Sequence, residues 1–260
     1  MLNWKENLVK SNILLHYILK KIGDYMKIKV SLFDSTTDDL TIVIDLLRAS
    51  TTIIVALNNF NKVIPVNNDE QAFKIKEEHP DTILAGERDL KTIEGYNITN
   101  SPKMIQNYTG NIFVINTTNG TKVLEKIKNR NEKIKVLIGA SINARKLAMK
   151  SLEMADHEIE LIMAGRHEKF NIEDCVGAGL IVNEIIKIAH ERNIEIELDE
   201  SALAAKIIAE DTNRAKELIG NSQASKRLTK IGLESDVKLC QQLNSMDIVG
   251  LYENNEIIKI

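Results

Sequence analysis

The sequence predicts an α/β protein, a three-layer α/β/α arrangement around a mostly parallel or mixed sheet, with a helical C-terminal segment. Three observations carry this. Short β-branched apolar runs alternate with amphipathic helical stretches along most of the chain, which is the signature of βαβ units. Runs such as Val136-Leu137-Ile138 and Leu161-Ile162-Met163-Ala164 are apolar throughout, as strands covered on both faces are. From residue 199 to 242 the strand pattern stops and only helical spacing remains.

The first strand, 27–33, follows Met26 and alternates Ile28, Val30 and Leu32 with polar neighbours. Residues 1–25 read as an N-terminal extension, either upstream of a true start at Met26 or folded as an appended helix. Residues 26–260 read as a single α/β domain. The apolar patch at 13–19 has Lys20 and Lys21 behind it, whereas a secretory signal carries its positive charge in front. Further strands are expected at 40–45, 62–66, 82–85, 111–116, 134–138, 158–164 and 247–252. Helical spacing falls between them at 50–59, 69–78, 120–129, 142–153 and 174–192. The last strand is expected at a sheet edge, with Asn254-Asn255 as a turn before Ile257. Residues 87–102 break the alternation. A loop of that length inside a compact domain is commonly functional, and Ile93, Tyr96 and Ile98 predict that it packs.

Composition narrows the function. The 34 Lys and Arg against 37 Asp and Glu give a net charge of −3, which is no footprint for nucleic acid or an anionic membrane. Aromatics at 4% leave little for base stacking. Only Cys175 and Cys240 occur, with no CxxC pair, which fits a reducing cytoplasm. No apolar run reaches the ~18 residues of a membrane span. A cytoplasmic protein acting on a small anionic molecule is expected, without nucleic-acid or membrane partners. A homo-oligomer is left open.

Ligands of open parallel sheets bind beyond the carboxyl ends of the strands, and five predicted strands run into polar signatures there. The second meets Asp45, then Arg48 and Ser50-Thr51-Thr52. Asp45 suits a nucleophile or a Mg²⁺ ligand and Arg48 a clamp on phosphate oxygens; a helix cap beside a solvated arginine is the plainer account. The next signature is Gly86-Glu87-Arg88. Adjacent residues on an extended chain point opposite ways, and Arg88 is the one expected to face an anionic substrate. Thr117-Thr118-Asn119-Gly120-Thr121 joins a strand to a helix and suits a phosphate or sulfonate, although capping also favours Thr and Asn. Ser141 and Asn143 follow Gly139, and Gly165 follows Ala164.

Glu173-Asp174 opens a helix. Acids there complement the helix dipole, and paired carboxylates also make a hard-oxygen Mg²⁺ site. Asp45, Glu87, Glu173 and Asp174 are therefore the candidate metal ligands. Gly177 and Gly179 are read as allowing close helix packing. His167 is read as structural or solvated, and Cys175 as a small buried apolar residue. The motifs of thiol, Asp-x-Asp, Arg-His-Gly and Walker A phosphatases or NTPases are absent.

These residues, in this order, resemble the 2-phosphosulfolactate phosphatase family. The resemblance rests on Val43-Ile44-Asp45-Leu46-Leu47-Arg48-Ala49-Ser50-Thr51-Thr52 and on Ala85-Gly86-Glu87-Arg88 with Ile93-Glu94-Gly95-Tyr96 and Asn100-Ser101-Pro102. Thr117-Thr118-Asn119-Gly120-Thr121 and Glu173-Asp174 with Gly177-Ala178-Gly179 extend it. A weaker echo continues through Ser225, Leu228, Gly232 and Asp236. The resemblance implies Mg²⁺-dependent hydrolysis of 2-phospho-3-sulfolactate to 3-sulfolactate and phosphate, a step toward coenzyme M in methanogenic archaea. With that substrate, Asp45, Arg48 and Arg88 are the catalytic candidates and 117–121 the substrate-binding ones; Ser141 and Asn143 join the latter from their place at a strand end. Alternatives are a phosphatase for another small phosphorylated acid and a non-catalytic sensor of an anionic metabolite.

Overall fold

The computed structural model describes residues 25–88, 90–117, 119–166 and 169–260. Residues 1–24, with most of the expected extension, lie outside them, as do Thr118 and His167. The strands are β1 (Tyr25–Leu32), β2 (Leu40–Ile44), β3 (Phe60–Val66), β4 (Ile83–Arg88), β5 (Lys91–Thr92), β6 (Gly110–Asn116), β7 (Lys135–Gly139), β8 (Glu158–Met163), β9 (Glu195–Leu198), β10 (Gly250–Glu253) and β11 (Glu256–Lys259). They form one mixed sheet in the order β5-β4-β6-β3-β11-β10-β7-β2-β8-β1-β9. Strand β2 is buried at every position, and β7 and β8 at all but the first. That explains why their sequences are largely apolar without alternation, Thr41 and Glu160 being the buried polar exceptions.

The helices are α1 (Ala49–Ala56), α2 (Asp69–Glu78), α3 (Asn119–Arg130), α4 (Ala144–Met154) and α5 (Ile172–Glu191), then α6 (Glu200–Ile208), α7 (Thr212–Gly220), α8 (Gln223–Lys230) and α9 (Glu234–Cys240). Successive side chains of β2 point to opposite faces. Ile44 packs beside Gly177 of α5, while Val43 lies with Ala49 and Ile53 of α1 and Leu124 of α3. Helices thus cover both faces, as the three-layer expectation requires. No helix among the described residues is long and apolar enough to cross a membrane.

The predicted strands and helices form with shifted ends, and 87–102 packs as expected. Ile93, Tyr96 and Ile98 are buried, and β5 folds back on β4. The C-terminal strand corrects its prediction. It does not sit at an edge: β10 and β11 form a hairpin inserted between β7 and β3, antiparallel to both. Asn254 and Asn255 both have positive φ, the backbone that a tight primed hairpin turn needs. Buried Tyr252 and Ile257 hold the hairpin in the core. Because each of these three pairings reverses direction, β3, β6 and β4 run opposite to β7, β2, β8 and β1. The polar ends of β2, β4 and β6 nevertheless line one cleft.

Candidate active site

Asp45 is the residue on which this cleft is built. The chain leaves β2 there and turns into α1, fixed by Asp45 N–H donating to Ser50 Oγ at 2.9 Å and Ser50 N–H donating to the Asp45 carbonyl at 2.9 Å. The backbone N–H groups of Ala49 and Gly120 both favour the charged form of the Asp45 carboxylate. The N-termini of α1 and α3 therefore meet at one acid, where their dipoles favour negative charge. Burial nevertheless pushes Asp45 up to about 6, with Glu173 and Glu87 adding to the rise against those two donors.

Behind Asp45, the first turn of α5 ties two strand ends together. Asp174 Oδ1 accepts from Leu46 N–H at 2.9 Å and Oδ2 from Gly165 N–H at 3.0 Å. Burial raises Asp174 well above the carboxylate range, and Asp45 and Glu173 raise it further. Burial raises Glu173 too, opposed by its own N–H, the Ser222 hydroxyl and Arg166. Gly165 has φ +60°, and a Cβ there would strike Phe33 and the Lys169 carbonyl. Only glycine fits where its N–H reaches Asp174.

Arg48 is buried, with Nη1 donating to Asp236 at 2.6 Å and Nη2 to Glu87. Asp236 Oδ1 in turn accepts from Ser101 Oγ at 2.7 Å and Lys103 N–H at 3.2 Å. Arg88 donates to Asp69, which also accepts from Asn116 at 2.9 Å and Tyr96 at 3.2 Å. The cleft holds about 420 Å³. Asp45, Glu87, Asn116, Thr117 and Asn119 line it, with Arg48, Arg88, Arg166 and Arg227 around them. Four arginines about one carboxylate floor suit an anion carrying more than one charge.

A sequence model of the family described as 2-phosphosulpholactate phosphatase matches residues 27–255. The 2-phosphosulfolactate phosphatase of Methanothermobacter thermautotrophicus is 34% identical over 232 residues, covering 89% of this chain and 95% of that protein. The chain belongs to the 2-phosphosulfolactate phosphatase family. A clostridial relative from Clostridium novyi, named "Probable 2-phosphosulfolactate phosphatase", is 35% identical and covers 84% of this chain and 91% of its own. Another of that name, from Clostridium perfringens, is 34% identical over 86% and 90%. With clostridial as well as Methanothermobacter members, family membership does not assign the archaeal host that the resemblance suggested.

The family motifs fall unevenly on the cleft. Thr117, Asn119, Glu87, Arg88, Arg48 and Asp45 line it. Gly120 supplies an N–H to Asp45, and Thr121 is buried, its hydroxyl 3.2 Å from that of Thr117. Arg48 is not the open clamp expected, because both ends of its fork are held by carboxylates. Nor does only one of Glu87 and Arg88 face the site, since both line it. Ser141 and Asn143 are corrected outright. Both are fully buried; Ser141 Oγ donates to the Cys240 carbonyl, and Asn143 bonds Ala140 N–H and the carbonyls of Ile138 and Ile248. They stitch the β7 end to the C-terminal segment. Cys175 is pushed up to about 11 by burial and Asp174, so it is no thiolate nucleophile. Asp69, Asn100, Arg166, Arg227 and Asp236 escaped the sequence reading as site residues. The Asn100-Ser101-Pro102 motif was the available signal for Asn100, and the echo around Ser225, Leu228 and Asp236 for Arg227 and Asp236.

The four candidate metal ligands do not form one cage. Among the described residues no three His, Cys, Asp or Glu side chains stand close enough to share an ion. Glu87 is engaged by Arg48, and Asp174 by two N–H groups. What remains fits Mg²⁺ in another way: Asp45 lines the cleft, and the negative charge of Glu173 and Glu87 adds to the rise of its pKa. Mg²⁺ is commonly held by one or two carboxylates, with water and substrate phosphate completing the shell.

Proposed function

We propose that this protein hydrolyses the phosphate monoester of 2-phospho-3-sulfolactate, releasing 3-sulfolactate and phosphate, with Mg²⁺ held at Asp45. The supporting observation is the cleft itself, in which Asp45 lies between two helix N-termini and four arginines surround it. The substrate carries a phosphate, a carboxylate and a sulfonate on three carbons, and this wall matches that charge. The name carried by the family's members supports the same reaction.

Phosphoryl transfer passes through a loose transition state, so alignment and charge stabilisation do most of the work. Thr117 and Asn119 would orient the phosphate oxygens at the start of α3. Arg88 is mostly exposed at 71% of its side chain, and among the described residues its side chain is held by Asp69 alone, so it can swing onto the phosphate. Arg48 fixes Glu87 and the 99–103 loop through Asp236, keeping the wall in shape. Asp174 holds the Asp45 segment in register through Leu46 N–H. Bound Mg²⁺ would supply positive charge for the phosphate oxygens. Where coenzyme M is made, the product would enter that route.

The deciding experiment measures phosphate release from phosphosulfolactate and from phospholactate, after EDTA treatment, with and without added Mg²⁺. Metal-dependent release that favours the sulfonate substrate is expected. Release from phospholactate alone would replace the substrate, and release from neither by a folded protein would overturn the activity.

A further inference from the structure

We infer that Arg227 is the specificity-determining residue for the sulfonate, the acidic group that lies farthest from the scissile phosphate. This rests on the substrate reading above and assigns one end of that substrate to the C-terminal helices. The other cleft arginines differ from Arg227 in what already holds them. Arg48 is bound to Asp236 and Glu87, and Arg88 to Asp69. Arg166, like Arg227, makes no side-chain hydrogen bond or ion pair with another described residue, but its charge acts on the Glu173 carboxylate and so is partly answered. Arg227 is partly buried and lines the cleft, yet makes no hydrogen bond or ion pair with any other described residue. A half-buried guanidinium without a counter-charge is ready to take an anion from outside.

Its placement is not incidental. Ala224, Arg227 and Leu228 all line the cleft, and at spacings of three and four they share one face of α8. The Ser222 hydroxyl, which caps α8 by accepting Ser225 N–H at 3.1 Å, also lies where it favours the charged form of Glu173 of α5. The following helix, α9, is fixed by Asp236 to Arg48. Polar contacts thus hold the helical segment against the site on either side of Arg227, although the phosphate-binding residues lie at the junction of β6 and α3. In the substrate, the sulfonate sulfur is one bond farther from the ester oxygen than the carboxylate carbon. The sulfonate is therefore the group that reaches past the sheet residues to α8. A sulfonate stays ionised at all working pH values, and the planar guanidinium fork matches its oxygens better than an ammonium does.

The test compares wild type with Arg227→Gln and Arg227→Lys. The kcat/KM ratio of phosphosulfolactate to phospholactate is expected to fall at least about tenfold in R227Q, the loss of a charge-assisted hydrogen bond. R227K is expected to restore part of it. Calorimetric titration with 3-sulfolactate and with inorganic phosphate gives a second reading that needs no turnover. The sulfolactate-to-phosphate affinity ratio should fall in parallel, while the melting temperature stays at the wild-type value. Equal losses for both ligands, or no change in either ratio, would overturn the assignment. If wild type hydrolyses neither ester, the proposed activity fails, and the titration ratio alone decides whether Arg227 holds a sulfonate.

Discussion

The guanidinium of Arg48 lies between two carboxylates of unequal burial. The Asp236 side chain is 0% exposed and that of Glu87 is 27% exposed. Solvent screens the Glu87 contact, so its removal costs little. Removing the charge of Asp236 leaves Arg48 buried and half-unpaired, and breaking a buried pair in this way costs about 3–5 kcal/mol. Asp236→Asn should therefore lower the urea-unfolding free energy by several times the effect of Glu87→Gln, which should stay near about 1 kcal/mol. An equal or reversed order would show that the Arg48–Asp236 contact does not hold the wall. Asp45 was legible in the sequence because an acid ending an apolar strand has few ordinary explanations. Its arginine neighbour was legible too, but not Asp236, which lies 188 residues from Arg48 along the chain. No local spacing shows such a pair. Ser141 and Asn143 failed for the opposite reason: polar residues at a strand end satisfy backbone groups as readily as a ligand, and only packing tells these apart.

Helix α5 shows how an element can carry two kinds of glycine. At Gly179 a Cβ would stand 2.0 Å from the Ala205 carbonyl oxygen and 2.7 Å from Ala209 Cβ, both on the α6 side. At Gly177 the nearest atoms, on Ile44 and Leu46, would be 3.4 Å away, an ordinary contact. Gly179→Ala should push α6 away, an overpacking cost of about 1–3 kcal/mol, and lower Tm by several degrees. Gly177→Ala should leave Tm at or above wild type, since alanine favours a helix by up to about 1 kcal/mol over glycine. Thermal scans of the two variants check this, and a larger loss at Gly177 would refute the packing argument. The sequence showed both glycines as packing devices but could not rank them, because the difference lies in which element faces each. Strands buried on both faces were legible from their unbroken apolar runs. Short β9 was missed although Glu195 and Glu197 alternate with half-buried Ile196 and Leu198, because four residues directly after a long helical pattern are too few to set a period of their own. The β10–β11 hairpin had a readable turn, but its insertion point depends on β3 and β7, which are remote in sequence.

Across the whole molecule, the site lies beyond one set of strand ends, while a buried carboxylate fixes how the chain begins the sheet. Strands β1 and β2 are both parallel to β8, which lies between them. The chain must therefore return along the sheet from the end of β1 to the start of β2, and residues 33–39 do so without a helix. Parallel crossovers usually take a dozen or more residues. Glu160 of β8 makes the short path possible. Fully buried, it accepts five hydrogen bonds, from Ser31 Oγ, Ser35 Oγ, Thr36 N–H, Thr36 Oγ1 and Thr37 N–H, at 2.6–3.0 Å. Burial alone would raise its pKa, but the donors outweigh it and hold Glu160 below the glutamate range. A carboxyl whose folded pKa is depressed binds fewer protons folded than unfolded. Its stabilisation is complete above the unfolded value of about 4.3 and disappears as pH falls through the lowered folded value. Glu160→Gln should thus be destabilised at pH 7 by about 1–3 kcal/mol, because donors arranged for a carboxylate lose an acceptor. The gap from wild type should narrow as pH drops below about 4, because unfolded Glu160 then takes up a proton that the folded carboxylate accepts only at lower pH. Taking the difference between the two proteins at each pH cancels every other titrating acid. Urea unfolding of both between pH 7 and pH 3 measures it, and a gap that stays constant over that range would show that the crossover is not held by the charge on Glu160.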